Sequence, residues 1–154
     1  SKITKTSKHY GSKRVYSSSS LSYSMSVPPE DTTHVITIDI GQVPRTFTVF
    51  DPASSSNTNK KRPVIIAFHG LGGDSAGMRQ STQFDRVAKE RGWLVVYPQG
   101  EIDSLVGITS TYWNGQGCCL QDGADDISFT KSIIDYTVAN FQVDEDKVFI
   151  TGFS

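Results

Sequence analysis

An α/β fold is what the sequence predicts: a mostly parallel sheet with helices on both faces and an antiparallel opening hairpin. Two observations carry this reading. The runs Val64-Ile65-Ile66-Ala67-Phe68, Leu94-Val95-Val96-Tyr97 and Lys147-Val148-Phe149-Ile150-Thr151 are almost wholly apolar, as strands covered on both faces are. The stretches between them have the apolar spacing and end signals of helices, and strands alternating with helices pair in parallel through right-handed crossovers.

The elements follow in order. Val35-Ile36-Thr37-Ile38-Asp39-Ile40 and Thr46-Phe47-Thr48-Val49-Phe50 alternate and are rich in β-branched residues, and Gly41-Gln42-Val43-Pro44 between them reads as a turn. After the first buried strand, a helix is expected over about Gly77 to Arg91, with Phe84, Val87 and Ala88 on one side. Asp74 or Ser75 would cap its start and Gly92 its end. Pro98 stops the next strand, and a long loop is expected from about Gln99 to Gly123. Asp125-Asp126 open a second helix, their charge suiting the positive end of its dipole. Its broad apolar stripe is formed by Ile127, Ile134, Val138 and Phe141, widened by Phe129 and Ile133, as on a helix lying over a sheet.

Composition bounds the partners. With 15 basic and 16 acidic residues among 154, there is no global field to attract nucleic acid. No apolar run is long enough to cross a membrane as a helix. The balance hides an asymmetry, because residues 1–26 hold five basic residues, no acid and ten serines. Residues 1–30 therefore read as a basic, serine-rich tail or linker with too little apolar surface to order itself, and 31–154 as the folded part. An acid-free, serine-rich start also fits a transit peptide, against which the weak helical amphipathicity counts. The two cysteines, Cys118 and Cys119, are too few for a four-ligand zinc site or a disulfide scaffold. A bond between adjacent cysteines is strained; one of them is expected either to pair with a cysteine beyond residue 154 or to stay a structural thiol, and an oxidising, extracellular compartment is weakly favoured.

Candidate sites lie at the ends of the apolar strands. His69-Gly70-Leu71-Gly72-Gly73 follows one strand and precedes a helix, so its backbone N–H groups are open to a ligand. As a dinucleotide fingerprint it fails twice. Its third glycine position is Ser75, and Pro98-Gln99 stand where an acid is needed. A loop of backbone donors for a developing oxyanion is the second use, and a plain tight turn the third. Gly152-Phe153-Ser154 after a strand matches the first half of a G-x-S-x-G elbow, in which a sharp strand-to-helix turn presents a serine. Asp125 and Asp126, adjacent on a helix, point about 100° apart, which favours capping and loop bracing over paired-carboxylate catalysis. Tyr112 and Trp113 are candidates either to line a substrate pocket or to anchor the loop.

These pieces, taken in order, carry a resemblance. Arg62 through Phe68 with His69-Gly70-Leu71-Gly72-Gly73, Val95-Val96-Tyr97-Pro98-Gln99-Gly100, Trp113-Asn114, Gly117-Cys118-Cys119, Asp125-Asp126-Ile127-Ser128-Phe129 and Val143-Asp144 through Ser154 stand in the order of one group. That group is the polyhydroxybutyrate depolymerase and feruloyl or acetylxylan esterase group of α/β-hydrolases, the LpqC-like esterases. The resemblance covers about 60% of the chain, from Arg62 to Ser154. It implies an α/β-hydrolase fold cut after its nucleophile strand, and a serine esterase that needs no cofactor or metal. It further implies Ser154 as nucleophile, the N–H of Leu71 as an oxyanion donor, and His69, Gly70, Gly72 and Gly73 as support for that loop. In this fold the acid and then the histidine follow the serine, whereas His9, His34 and His69 all precede Ser154. The chain alone is therefore expected to be inactive. A hydrolase-like binding fragment without catalysis is the alternative, and a nucleotide-binding module a more remote one.

Overall fold

The computed structural model describes residues 30–52, 60–105, 108–115 and 125–154. The expected tail, apart from residue 30, and Gly117, Cys118 and Cys119 lie outside the described residues. The chain opens with the hairpin β1 (Thr32–Ile40) and β2 (Val43–Asp51), paired antiparallel. Its turn is tighter than expected: Gly41 and Gln42 alone make it, both at positive φ (57° and 75°), while Val43 and Pro44 belong to β2. A two-residue loop with both φ positive matches the right-handed twist of its strands, whereas a type I or II turn in its place would splay them.

Next come β3 (Arg62–Phe68), α1 (Ser75–Thr82), α2 (Phe84–Arg91) and β4 (Leu94–Pro98). The single helix expected over 77–91 is thus two helices. They break at Gln83, which takes a left-handed conformation (φ 51°) and closes α1 with its N–H on the Arg79 carbonyl. Asp74 is the cap of α1, its carboxylate accepting from the Gly77 N–H at 2.6 Å. The stretch expected as a structureless loop contains a two-stranded antiparallel ribbon, β5 (Glu101–Leu105) with β6 (Ile108–Tyr112). The chain then forms α3 (Asp126–Phe141), capped by the Asp125 carboxylate on the Ser128 N–H, and β7 (Val143–Gly152). The Ser128 hydrogen bonds hold the Asp125 carboxyl below the ordinary carboxylate range.

The main sheet has the order β1-β2-β4-β3-β7, with β3 parallel to both β4 and β7. From β3 the chain moves one way to β4, then back past β3 to β7. Right-handed crossovers in opposite directions must place their helices on opposite faces. Accordingly α1 and α2 cover one face through Met78, Ala88, Val95, Tyr97 and Phe50, and α3 the other through Phe129 and Ile133 over Phe47, Val49, Ile66 and Val96. Such a reversal opens a crevice beyond the carboxyl ends of the strands, where both candidate loops emerge.

Two packing details carry measurable consequences. On α3 the buried line is Phe129, Ile133 and Thr137, whereas Ile127, expected on the apolar stripe, is 83% exposed. Ile127 stands two residues before Phe129, about 200° round the helix, so the sheet cannot cover both. Phe129 is fully buried, edge-on to Phe47 at 6.2 Å. Phe129→Ala is expected to cost about 3–5 kcal/mol, read as a shift in the denaturant midpoint at unchanged slope.

Tyr97 is also fully buried, and its hydroxyl donates to Asp85 Oδ1 at 2.8 Å. Burial, then the hydrogen bond and charge of Asp85, raise its pKa well above the ordinary value of about 10. An acid with a raised folded pKa loses its proton first in the unfolded chain. Its contribution to stability is therefore complete below about pH 10 and falls as pH rises beyond that. Chemical denaturation between pH 8 and 11.5 is expected to show a decline that flattens in Tyr97→Phe.

Candidate active site

The parallel register of β3 and β7 brings two loops together. Phe68 is paired with Gly152, and the Phe153 N–H donates to the Phe68 carbonyl at 3.2 Å. The chain leaving β3, His69 to Gly73, therefore runs beside Phe153-Ser154. The approach is closest at Gly70, where an added Cβ would lie 2.7 Å from the Phe153 carbonyl oxygen and 3.0 Å from Ser154 Cβ. Only a residue without a side chain allows this separation. At Gly152 the same Cβ would lie 3.4 Å from the Phe68 oxygen, an ordinary contact, so the tight fit falls on Gly70 and not on the glycine of the Gly-x-Ser motif.

Ser154 itself is exposed and has φ of 69°. A serine held in the left-handed region is disfavoured by about 1–2 kcal/mol, and such residues concentrate where a turn presents a side chain for function.

The turn after β3 explains which amide is available. Gly73 N–H donates to the Gly70 carbonyl at 3.0 Å, and Gly72, the third residue of the turn, has φ of 75°. This is the type II geometry, whose third position favours glycine. Gly72 N–H is used by the Thr111 carbonyl at 2.9 Å. Among the described residues the Leu71 N–H has no acceptor within the protein, and the Leu71 side chain is 66% exposed. Of the four amides in the turn, those of Gly72 and Gly73 are used, and those of Gly70 and Leu71 have no acceptor among the described residues.

His69 is buried with both ring nitrogens engaged. The Gly100 N–H donates to Nε2 at 3.0 Å, so Nε2 is the acceptor and the proton sits on Nδ1, 2.8 Å from the Gly70 carbonyl. A ring held in this way shapes the loop and has no free nitrogen with which to take a proton from serine. Trp113 anchors the loop from outside: its Nε1–H donates to the His69 carbonyl at 2.7 Å, and its ring lies 4.9 Å from those of both His69 and Phe68. Thr111 donates its hydroxyl to the Gly73 carbonyl. Tyr112 lies at the end of β6, its carbonyl against Gly100, where an added Cβ would stand 2.7 Å away.

Asp126 is the brace that the adjacent aspartates suggested: one oxygen takes Arg45 Nη2 at 2.7 Å and the other the Asn114 N–H at 2.6 Å. Sequence reasoning missed Arg45. The available signal was a lone arginine at the alternating inward position of β2, two residues before buried Phe47. At the start of α1, the amide end that a dinucleotide phosphate would need already faces the Asp74 carboxylate. Among the described residues no group of three or more His, Cys, Asp or Glu is placed to hold a metal ion, and no helix is long and apolar enough to cross a membrane.

Sheet order, crossover helices and the strand–serine turn define an α/β-hydrolase fold, and solved structures agree. The chain is similar to an S-formylglutathione hydrolase from Agrobacterium tumefaciens (TM-score 0.63, 18% identity, 84% of this chain and 51% of that one). It is similar as well to a ferulic acid esterase (TM-score 0.61, 21% identity, 83% and 51%). Among curated proteins it is similar to a bifunctional acetylxylan esterase/xylanase of Neocallimastix patriciarum, with 27% identity over 64% of this chain and 13% of the relative. An acetylxylan esterase of Coprinopsis cinerea is 31% identical over 62% of this chain and 25% of its own length. The chain thus spans about a quarter or less of these two curated relatives. No family model matches it.

Proposed function

We propose that this chain supplies the nucleophile and one oxyanion donor of a serine carboxylic ester hydrolase. The observation that carries the reading is the pairing of Ser154, at φ 69°, with an acceptor-free Leu71 amide across the close contact at Gly70. In this mechanism Ser154 Oγ attacks the ester carbonyl carbon while its proton passes to a histidine base. The carbonyl oxygen, now negative, accepts from the Leu71 N–H. Collapse of the intermediate expels the alcohol, which takes the proton, and water then releases the acid from the acyl-serine. His69 is committed to the loop, so the base and its orienting acid are assigned to a histidine and an Asp or Glu that follow Ser154 in the polypeptide. The fold's chain order and the partial coverage of the relatives support this. Residues 31–154 are then the N-terminal portion of the hydrolase domain, and 1–30 its tail.

The substrate class in this reading is an acetyl or feruloyl ester of plant cell-wall polysaccharide, in an extracellular setting. Its support is the names of the similar proteins, two acetylxylan esterases and a ferulic acid esterase. A polyhydroxyalkanoate is the second substrate class that the sequence resemblance raises.

The test is active-site labelling of the protein as it occurs in its source. A fluorophosphonate ester is expected to modify one peptide, at Ser154, and prior labelling is expected to abolish release of acetate from acetylated xylan. Modification confined to another residue overturns the nucleophile assignment. Loss of 4-nitrophenyl acetate hydrolysis, with no release of acetate or ferulate from polysaccharide before labelling, overturns the substrate class and keeps the chemistry.

A further inference from the structure

Arg45 is the most buried charge among the described residues, at 2% exposure, and lies on a strand that contributes nothing to the two candidate loops. Two of its three guanidinium nitrogens are ion-paired, while Nη1 is buried with no hydrogen-bond partner among the described residues. Nε is 3.0 Å from Glu101, Nη2 is 2.7 Å from Asp126, and the cation stands 4.2 Å over the Phe129 ring and 5.9 Å from that of Trp113. A buried cation is costly unless paired, and two carboxylates this close to one another require one. Its removal would leave Glu101 and Asp126 facing each other with no positive charge between them.

What Asp126 holds gives the arrangement a consequence at the site. Its second oxygen fixes the Asn114 N–H, one residue after Trp113. Trp113 in turn donates to the His69 carbonyl, and His69 donates to the carbonyl of Gly70, the residue packed against Ser154. Glu101, the other partner, follows Gly100, whose N–H is bonded to His69 Nε2. The two acids thus lead to His69 from its two sides, and Arg45 ties them together.

We propose that Arg45 is a positioning residue for the oxyanion loop. Through Asp126 with Trp113, and through Glu101 with Gly100, it fixes His69 and thereby the stand of Gly70 and Leu71 opposite Ser154. The assignment rests on the reading of Leu71 as oxyanion donor for its catalytic meaning, but the coupling itself is tested without turnover.

The experiment is amide and indole hydrogen exchange by NMR on the full chain, comparing wild type with Arg45→Met, Asp126→Ala and Arg62→Met. Arg62 is the matched control: it is also a largely buried, paired arginine, 2.7 Å from Asp51 and 3.0 Å from the Phe141 carbonyl, at the opposite end of β3. Arg45→Met and Asp126→Ala are each expected to speed exchange of the Trp113 indole and of the Gly73 and Gly100 amides at least tenfold. Exchange in the β3–β4 ladder should change less than threefold, and the Leu71 amide resonance should shift. Arg62→Met should leave the loop signals within threefold of wild type. Asp126→Ala, with Glu101 still pairing Arg45, keeps the test decisive should Arg45→Met fail to fold. Equal acceleration everywhere, the same loop effect from Arg62→Met, or unchanged loop exchange in a folded variant each overturns the proposal. Failure of Ser154 labelling, by contrast, removes the esterase reading and leaves the exchange result standing on its own.

Discussion

Ser154→Ala is expected to lower kcat/KM for short acyl esters by at least about 10⁴-fold, with the loss in kcat and little change in KM. The measurement is 4-nitrophenyl acetate hydrolysis by the protein isolated with its complete catalytic set. An unreacted ester binds through its acyl and alcohol groups whether or not the hydroxyl is present. The covalent step, in contrast, has no route without Oγ. Alanine tolerates the φ of 69° about as poorly as serine and the change removes a single hydroxyl, so stability should move by no more than about 1 kcal/mol. A loss of activity with an unchanged melting temperature therefore separates chemistry from folding. Retention of more than a tenth of the activity would remove Ser154 from the mechanism.

Gly70→Ala is expected to act on the distance between the loops. Gly70 has an ordinary φ, so the new methyl brings no backbone strain of its own. Its difficulty is position: the Cβ would lie 2.7 Å from the Phe153 carbonyl oxygen, and backbone on either side must yield. A shift of about 1 Å between nucleophile and oxyanion donor costs on the order of 10²-fold in rate. The displaced packing should add about 1–3 kcal/mol of destabilisation. Gly41→Ala in the β1–β2 turn is the contrasting case. There φ is +57° with nothing within 4 Å, so the cost is left-handed strain of about 1–2 kcal/mol and no change in kcat. If the two variants lose activity alike, the close approach at Gly70 has no bearing on the site.

Most of the strands of the main sheet and the order of the loops were legible in the sequence. Apolar runs of β-branched residues identified β3, β4 and β7, and alternation identified the hairpin. Asp74 or Ser75 and the pair Asp125-Asp126 marked the helix starts, and Asp74 and Asp125 proved to be the caps, because a carboxylate there satisfies free amides locally. The candidate loops were legible as glycine-bearing segments after strands, since strand ends in a parallel sheet gather on one side.

Where readings failed, the deciding interaction was with residues distant in sequence. The β5–β6 ribbon has weak apolar patterning. Its far strand is tied to the loop after β3 through the Thr111 carbonyl on Gly72, an interaction no local signal announces. Helix periodicity continued smoothly through Gln83, yet the chain turns there. Ile127 and Phe129 looked alike on the stripe until the sheet chose one of them.

The sequence by itself therefore determined the class of fold, the order of its elements and which short segments bear chemistry, because these follow from local propensity and spacing. Only the tertiary structure decided that Gly70 touches Ser154, that the Leu71 amide is left without an acceptor, and that buried Arg45 joins Glu101 to Asp126. Each of these depends on strand register and on crossover direction. A single-residue slip between β3 and β7 would turn every side chain of the slipped strand to the other face and move Ser154 away from Gly70.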